Sequence, residues 1–363
     1  MQPRYAPWPG ISPVTVMLNR SSAPTLPPAR RLAAWAVQGA TLALLASVAV
    51  VLWTIDETTW VHLRAWRWET VAALLGLVLS SYLFQGGRVL VLTRAAGYRI
   101  PYRRCVAQAF ATQFGIATTP GGVGGPAIRV GMLRGEGVPV PTGISLVGAD
   151  YLVDALVYAL LLPAAAMIVW RDPFWHGLTN AVPRVDPAAV GGGLVGLGGI
   201  VAAAVIGAGS FAAHAEERQG GRFRIGLREA WRSLCSLARH QRPALALDTL
   251  LAALQLATRF GTLPVVLLSF GVAANPLPLI ALQGALATVA SLIVLPGGGG
   301  SVEAGAALIL GRLIDVHLVG VVVVLWRLFA FHLPIALGGV VFFAWTRRIG
   351  RAGRATAVGG STS

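Results

Sequence analysis

The chain has 363 residues, 55% of them hydrophobic and only 12% charged, with a mean hydropathy of +0.69; ordinary soluble domains carry about 25% charge, so that class is excluded. The net charge of +15 comes from 29 basic residues, all of them arginine. They gather in loops between apolar runs instead of forming a basic face with interleaved aromatics, which excludes a nucleic-acid-binding module and points to membrane topology.

Residues 1–31 contain Pro3, Pro7, Pro9, Pro13, Pro24, Pro27 and Pro28. They read as a disordered cytoplasmic tail without the charged start, apolar middle and cleavage site of a signal peptide. Six apolar runs, at 32–55, 70–92, 142–170, 188–211, 244–270 and 318–345, reach or exceed the roughly 20 residues that cross a hydrocarbon core. Arg20, Arg30 and Arg31 precede the first run, and the loop after it is net −1, so the amino terminus is expected inside. Arg94, Arg99, Arg103 and Arg104 follow the second run, and Arg129 and Arg134 follow the apolar stretch 105–119. That stretch therefore starts and ends on one side, as a re-entrant hairpin. The basic segment 212–243 repeats Phe223, Leu227, Trp231, Leu234 and Leu237 at helical spacing and reads as an amphipathic helix at the headgroups. Arg347, Arg348, Arg351 and Arg354 put the tail 347–363 inside as well, so the stretch 276–295 is a second hairpin, entering from the opposite face. Cys105 and Cys235 are the two cysteines, and no disulfide, zinc site or redox motif follows from them.

The expected fold is thus an all-α polytopic membrane helix bundle of about six full spans plus two opposed re-entrant helical hairpins. Its membrane domain, 32–346, has an inverted-repeat architecture with a first repeat near 70–170 and a second near 244–346. Each hairpin contains a Pro-Gly-Gly break, Pro120-Gly121-Gly122-Val123-Gly124-Gly125 and Pro296-Gly297-Gly298. Proline withholds a backbone donor and glycine accepts unusual φ, so these strings stop a helix. Broken backbone at membrane depth survives only where protein or a polar cavity covers it. The half-helices that restart there, at Gly121, Gly122, Gly124, Gly125 and at Gly297, Gly298, offer amides and a positive dipole end to an anionic headgroup or phosphate. Pro120 precedes Asp150 by 30 positions and Pro296 precedes Arg327 by 31, as a repeat requires. Neither string is a nucleotide loop, because no Gly-Lys-Ser/Thr follows.

Charges inside spans are expensive and mark pathways or partners. Asp150 and Asp154 share one helix face, where two carboxylates either share a proton or meet an arginine. Gln255 and Arg259 form a similar pair, Arg327 accompanies His332, and Arg88, near the end of its span, is placed to snorkel. Arg259 and Arg327 are expected to receive a phosphate headgroup, with Asp150, Asp154 and Glu303 balancing or gating them. Static ion pairing between helices is the competing reading. No metal-spaced cluster and no nucleophile with its base stands out, so neither an enzyme activity nor a cofactor or metal is expected.

Pro120-Gly121-Gly122-Val123-Gly124-Gly125 with Arg129, Leu133-Arg134 and Asp154, then Pro296-Gly297-Gly298 with Glu303-Ala304-Gly305, Trp326-Arg327-Leu328 and His332-Leu333-Pro334, resembles the lysylphosphatidylglycerol synthase transmembrane-domain family of flippase-like proteins. The resemblance spans nearly all of 32–346. It implies a bacterial inner-membrane protein that moves a lipid or lipid-linked headgroup, and it adds Arg129 to the candidate binding residues. Some members carry a soluble aminoacyltransferase; with only the short stretch 347–363 after the membrane domain, none is expected here, and synthase activity is not carried over. The family's Glu after the first glycine cluster and its Glu-Arg pair are replaced by Pro126 and Asp150-Tyr151. Membrane lipids are the expected partners, with a lipid-biosynthesis enzyme as a candidate. A transporter of a small soluble anion and a non-transporting subunit of a lipid-modifying enzyme are the alternative functions.

Overall fold

A Pro-rich and Gly-rich apolar chain forms long helices only between its breakers, and the computed structural model, which describes residues 66–119, 122–169, 171–175, 241–292 and 301–359, follows that rule. In chain order the helices are α1 (Trp68–Ala95), α2 (Tyr102–Thr118), α3 (Gly124–Gly135), α4 (Val140–Val169), α5 (Arg242–Phe260), α6 (Thr262–Ser269), α7 (Pro276–Leu292), α8 (Ser301–Leu310), α9 (Val316–Arg327) and α10 (Leu333–Gly359). A 3-10 turn at Pro173–Trp175 and a π-helical turn at Leu328–His332 complete the elements, and no strand occurs among the described residues.

Among the described residues, four segments are long and apolar enough to cross a membrane: Trp68–Ala95, Val140–Val169, Arg242–Ser269 and Val316–Arg348. The first, at 28 residues, is about 42 Å long, ample for a core of about 30 Å. They coincide with four of the six expected spans. The spans at 32–55 and 188–211, the tail 1–31 and the amphipathic segment to residue 240 lie outside the described residues.

The same order of elements occurs twice. α1 ends in a Schellman turn in which Tyr98 N donates to Thr93 O (2.9 Å) and Gly97 N to Arg94 O (2.9 Å), with Gly97 at φ +87. α6 ends in the same turn, Val272 N to Leu267 O and Gly271 N to Leu268 O, with Gly271 at φ +78. Each turn is followed by a short link to a proline, Pro101 or Pro276, that opens the next helix. Then come a glycine break, a short helix (α3 or α8) and a long one (α4 or α9–α10).

Prolines also set the two interruptions in the long spans. Pro264 has no N–H to give the carbonyl four residues back, Phe260, and the helix is interrupted between α5 and α6 at Gly261. Pro334 does the same to Ala330, and the helix widens there into the π turn.

α2 and α3 run antiparallel. Their far ends are joined by Arg104 Nη1 to Glu136 Oε2 at 2.6 Å, and a Cβ on Gly115 would lie 2.8 Å from the Gly124 carbonyl near the tip. α2 also lies flat against α10: a Cβ on Gly338 would fall 2.3 Å from Phe110 O. Gly338→Val therefore pushes a side chain into rigid backbone. It should cost about 1–3 kcal/mol or more, read as a lower unfolding temperature of the detergent-solubilised protein. The main apolar core, with Leu74, Val78, Leu263, Leu267, Leu279, Val302 and Val322, joins α1, α6, α7, α8 and α9.

Candidate functional site

Arg88 of α1 is fully buried, and its partners come from two other long helices. Nε donates to Asp248 Oδ1 at 3.1 Å, and Nη1 donates to Asp154 Oδ1 at 2.6 Å and to Gln255 Oε1 at 2.8 Å. Nη2 donates to the carbonyl of Asp150 at 2.9 Å and lies 2.7 Å from its Oδ1. Asp150 Oδ2 in turn pairs with Arg129 Nη1 of α3. Helical spacing explains the convergence. Asp150 and Asp154 lie one turn apart on α4, and Asp248 and Gln255 two turns apart on α5, so each helix turns one polar face to α1. A lone buried guanidinium would cost several kcal/mol, and only such a complete set of acceptors offsets it.

The polar face of α5 continues one turn beyond Gln255 to Arg259, whose Nη2 donates to Gln113 Oε1 of α2 at 2.8 Å. Tyr158 of α4 lies within electrostatic reach of both Arg259 and Asp154, its ring packed on Gly284 of α7. The next residue, Phe260, exposes the carbonyl that Pro264 leaves unpaired, and Gln283 Nε2 of α7 donates to it. Gln283 Oε1 accepts from Trp326 Nε1 at 2.6 Å. Beside Trp326, Arg327 Nε donates to Glu303 Oε1 of α8 at 2.7 Å, and its guanidinium lies 3.9 Å from the centre of the Phe331 ring. Proline chemistry thus ties α5 to α7 and α9: a missing N–H supplies the acceptor through which Gln283 joins the helix carrying Arg259 to the one carrying Trp326 and Arg327.

The two centres occupy matching places with opposite polarity. In the first half the cation, Arg129, rides on the short helix and the anion, Asp150, on the long one; in the second half the short helix carries Glu303 and the long helix Arg327. Among the described residues, Arg129 Nε and Arg327 Nη2 are buried without a hydrogen-bond partner.

Of the residues expected from sequence, Arg129, Asp150 and Asp154 meet in one network, and Glu303 meets Arg327. Arg259 and Arg327 each have a protein partner, Gln113 and Glu303 respectively. Asp150 and Asp154 balance Arg129 and Arg88 instead of either of those arginines. Arg88 does not snorkel, because carboxylates on α4 and α5 hold it in the interior. Asp248, Gln113 and Gln283 escaped the sequence reading. A lone acid and two amides inside otherwise apolar helices were the available signal.

Gly122, at φ +71, turns the chain at the tip between α2 and α3. Gly124 and Gly125 serve packing there: an added Cβ would come within 2.5 Å of Thr119 and 2.3 Å of Ile116 respectively. The Gly124 amide, expected to be open to an anion, donates to Thr119 Oγ1 at 2.8 Å. Thr119→Val removes this cap and should cost about 1 kcal/mol, measured by thermal unfolding; an unchanged midpoint would mean the amide has another acceptor. Gly121, Gly297 and Gly298 lie outside the described residues.

Comparison with known proteins places this geometry in context. The profile of the lysylphosphatidylglycerol synthase TM region matches residues 40–338, which include every member of the polar network. A UPF0104 membrane protein of Archaeoglobus fulgidus is 23% identical over 314 residues, covering 82% of this chain and 94% of that protein.

Proposed function

Because this chain belongs to the lysylphosphatidylglycerol synthase TM region family of membrane proteins, we propose that it moves a phosphate-bearing lipid, or a lipid-linked headgroup, across a bacterial inner membrane. The observation that carries this reading is the set of charges held inside spans of hydrocarbon length: Arg88 with Asp248, the half-buried Arg259 on Gln113, and the buried pair Arg327–Glu303. Groups so costly to bury are retained where they meet a charged cargo. Arg129 and Arg327 each keep a buried guanidinium nitrogen that no described residue engages. A phosphate oxygen is the acceptor such donors suit best.

In this reading α2–α3 and α7–α8 are re-entrant hairpins from opposite faces, both termini are cytoplasmic, and the cargo headgroup passes between the two ion pairs. The arginines at the open end of α2–α3, with Arg104 paired to Glu136, fit the cytoplasmic side.

The test is reconstitution of the full chain in phosphatidylcholine vesicles that contain nitrobenzoxadiazole-labelled phosphatidylglycerol, with dithionite quenching of the outer leaflet. The protein should accelerate exchange between leaflets over protein-free vesicles. Arg129→Gln and Arg327→Gln should each slow it about ten- to a hundredfold, the equivalent of losing one charge-assisted hydrogen bond. Vesicles loaded with inorganic phosphate provide the second arm. Phosphate release without lipid movement would replace this reading with that of a soluble-anion transporter.

A further inference from the structure

The ionic centre around Arg88 does not balance. Three carboxylates, Asp150, Asp154 and Asp248, face two guanidinium groups, Arg88 and Arg129. α1 contributes Arg88; α3 contributes Arg129; α4 contributes the two aspartates with Tyr151; α5 contributes Asp248 and, farther along, Arg259, which is engaged with Gln113 of α2. Cys105 of α2 faces Arg129. α6 and α7 carry no charged side chain. With every group ionised the centre holds one surplus negative charge, in surroundings where an uncompensated charge costs several kcal/mol.

A second observation locates the surplus. Asp248 is 0% exposed, and while its Oδ1 accepts from Arg88, its Oδ2 is buried and has no hydrogen-bond partner among the described residues. The remaining Arg88 donors are directed at Asp154, Gln255 and Asp150. One open carboxylate oxygen beside a guanidinium suits a proton. A hard metal cation needs a shell of several oxygens, and here the guanidinium already occupies them.

We propose that Asp248 is a proton-binding site: the centre carries one exchangeable proton, held at Asp248 when the network is closed and passed to Asp154 when it opens. Asp154 is the outlet because its side chain keeps 27% exposure, against 4% for Asp150 and 0% for Asp248. The step is a plain acid–base exchange. A carboxylate oxygen gains H⁺ to become a carboxylic acid and loses it again, and the Arg88 contacts shift with it because a neutral acid no longer attracts the guanidinium equally. Resting on the reading above, this makes Arg88 with Asp154 and Asp248 the coupling site and leaves the open guanidinium nitrogens of Arg129 and Arg327 for cargo. Headgroup movement is then driven by a proton gradient.

Infrared difference spectroscopy of the reconstituted full chain tests the proton without any cargo. Wild type should show the C=O stretch of a buried, protonated carboxyl group at neutral pH, and the band should disappear on raising the pH. Asp248→Asn should abolish it, Asp154→Asn should slow its exchange, and Glu69→Gln, at the exposed start of α1, should leave it unchanged. If Asp248→Asn does not fold, the wild-type titration and Asp154→Asn decide. Absence of the band from wild type at every pH would overturn the proposal, as would a band untouched by both substitutions. So would a band that responds to Na⁺ and not to pH. A band that behaves as expected in a protein that moves no labelled lipid refutes the lipid reading and leaves the proton site standing.

Discussion

Arg88→Met will destabilise the protein more than any other single side-chain change in the first half. The substitution fits the volume of the aliphatic stem but removes all five donors, stranding Asp248 and Asp150 in the interior with only Arg129 near. Breaking one partner out of a buried ionic set costs about 3–5 kcal/mol, a large share of the roughly 5–15 kcal/mol by which folded domains are stable. The expected result is a sharply lower unfolding temperature in detergent and poor accumulation in membranes. Arg88→Lys should fall between, because an ammonium offers three donors from a single point and cannot span acceptors on α4 and α5 together. Adding Asp154→Asn to Arg88→Met should recover part of the loss by removing one orphaned carboxylate. A near-native midpoint for Arg88→Met would mean that the network contributes nothing to stability.

The second large effect separates static pairing from cargo binding at Glu303 and Arg327. Each single change, Glu303→Gln or Arg327→Met, leaves one charge buried against its neighbours and should cost about 3–5 kcal/mol. The double variant removes both charges and keeps a packed interior, so it should return most of that stability. Its two effects are therefore strongly non-additive in a double-mutant cycle. Lipid movement should stay lost in the double variant, because the guanidinium beneath Phe331 is gone whether or not the fold is restored. Recovery of both stability and transport would reduce the pair to a structural staple.

The parts of this fold that the sequence revealed are those governed by local chemistry. Apolar length placed α1, α4, α5–α6 and the start of α9 within a few residues, whereas α10 runs on to Gly359, past the expected end at 345; the first Pro-Gly string placed the end of α2 and the start of α3. The recurring order of elements has a trace in the sequence, because Pro120 to Asp150 and Pro296 to Arg327 have nearly the same spacing. What stayed hidden was pairing across helices. Arg88 meets Asp248 across 160 positions and Gln255 across 167, and no periodicity along one helix encodes which neighbour its polar face meets. Its position near the end of an apolar run suggested an escape to the headgroups, and only the acceptors gathered from α4 and α5 keep it inside. Arg259 and Arg327 read as one cradle because both are cations in the second half. The rotation of α5 sends the first to α2, whereas the short helix α8 captures the second.

The close approaches around α2 bear on how such a bundle moves. Backbone of α2 touches α1 at Gly86, where a Cβ would meet Val106 Cα at 2.9 Å, α3 at Gly115, and α10 at Gly338. Helices that approach this closely cannot slide past one another without separating, so α1, α2, α3 and α10 form one tightly packed unit. α4, whose apolar window is only 12% buried, has far less cover than these four, and it carries Asp150 and Asp154. A tilt of α4 would strain its ion pairs to Arg88 and to Arg129 together, so the charge cluster is the fastening of the least covered of the four spans.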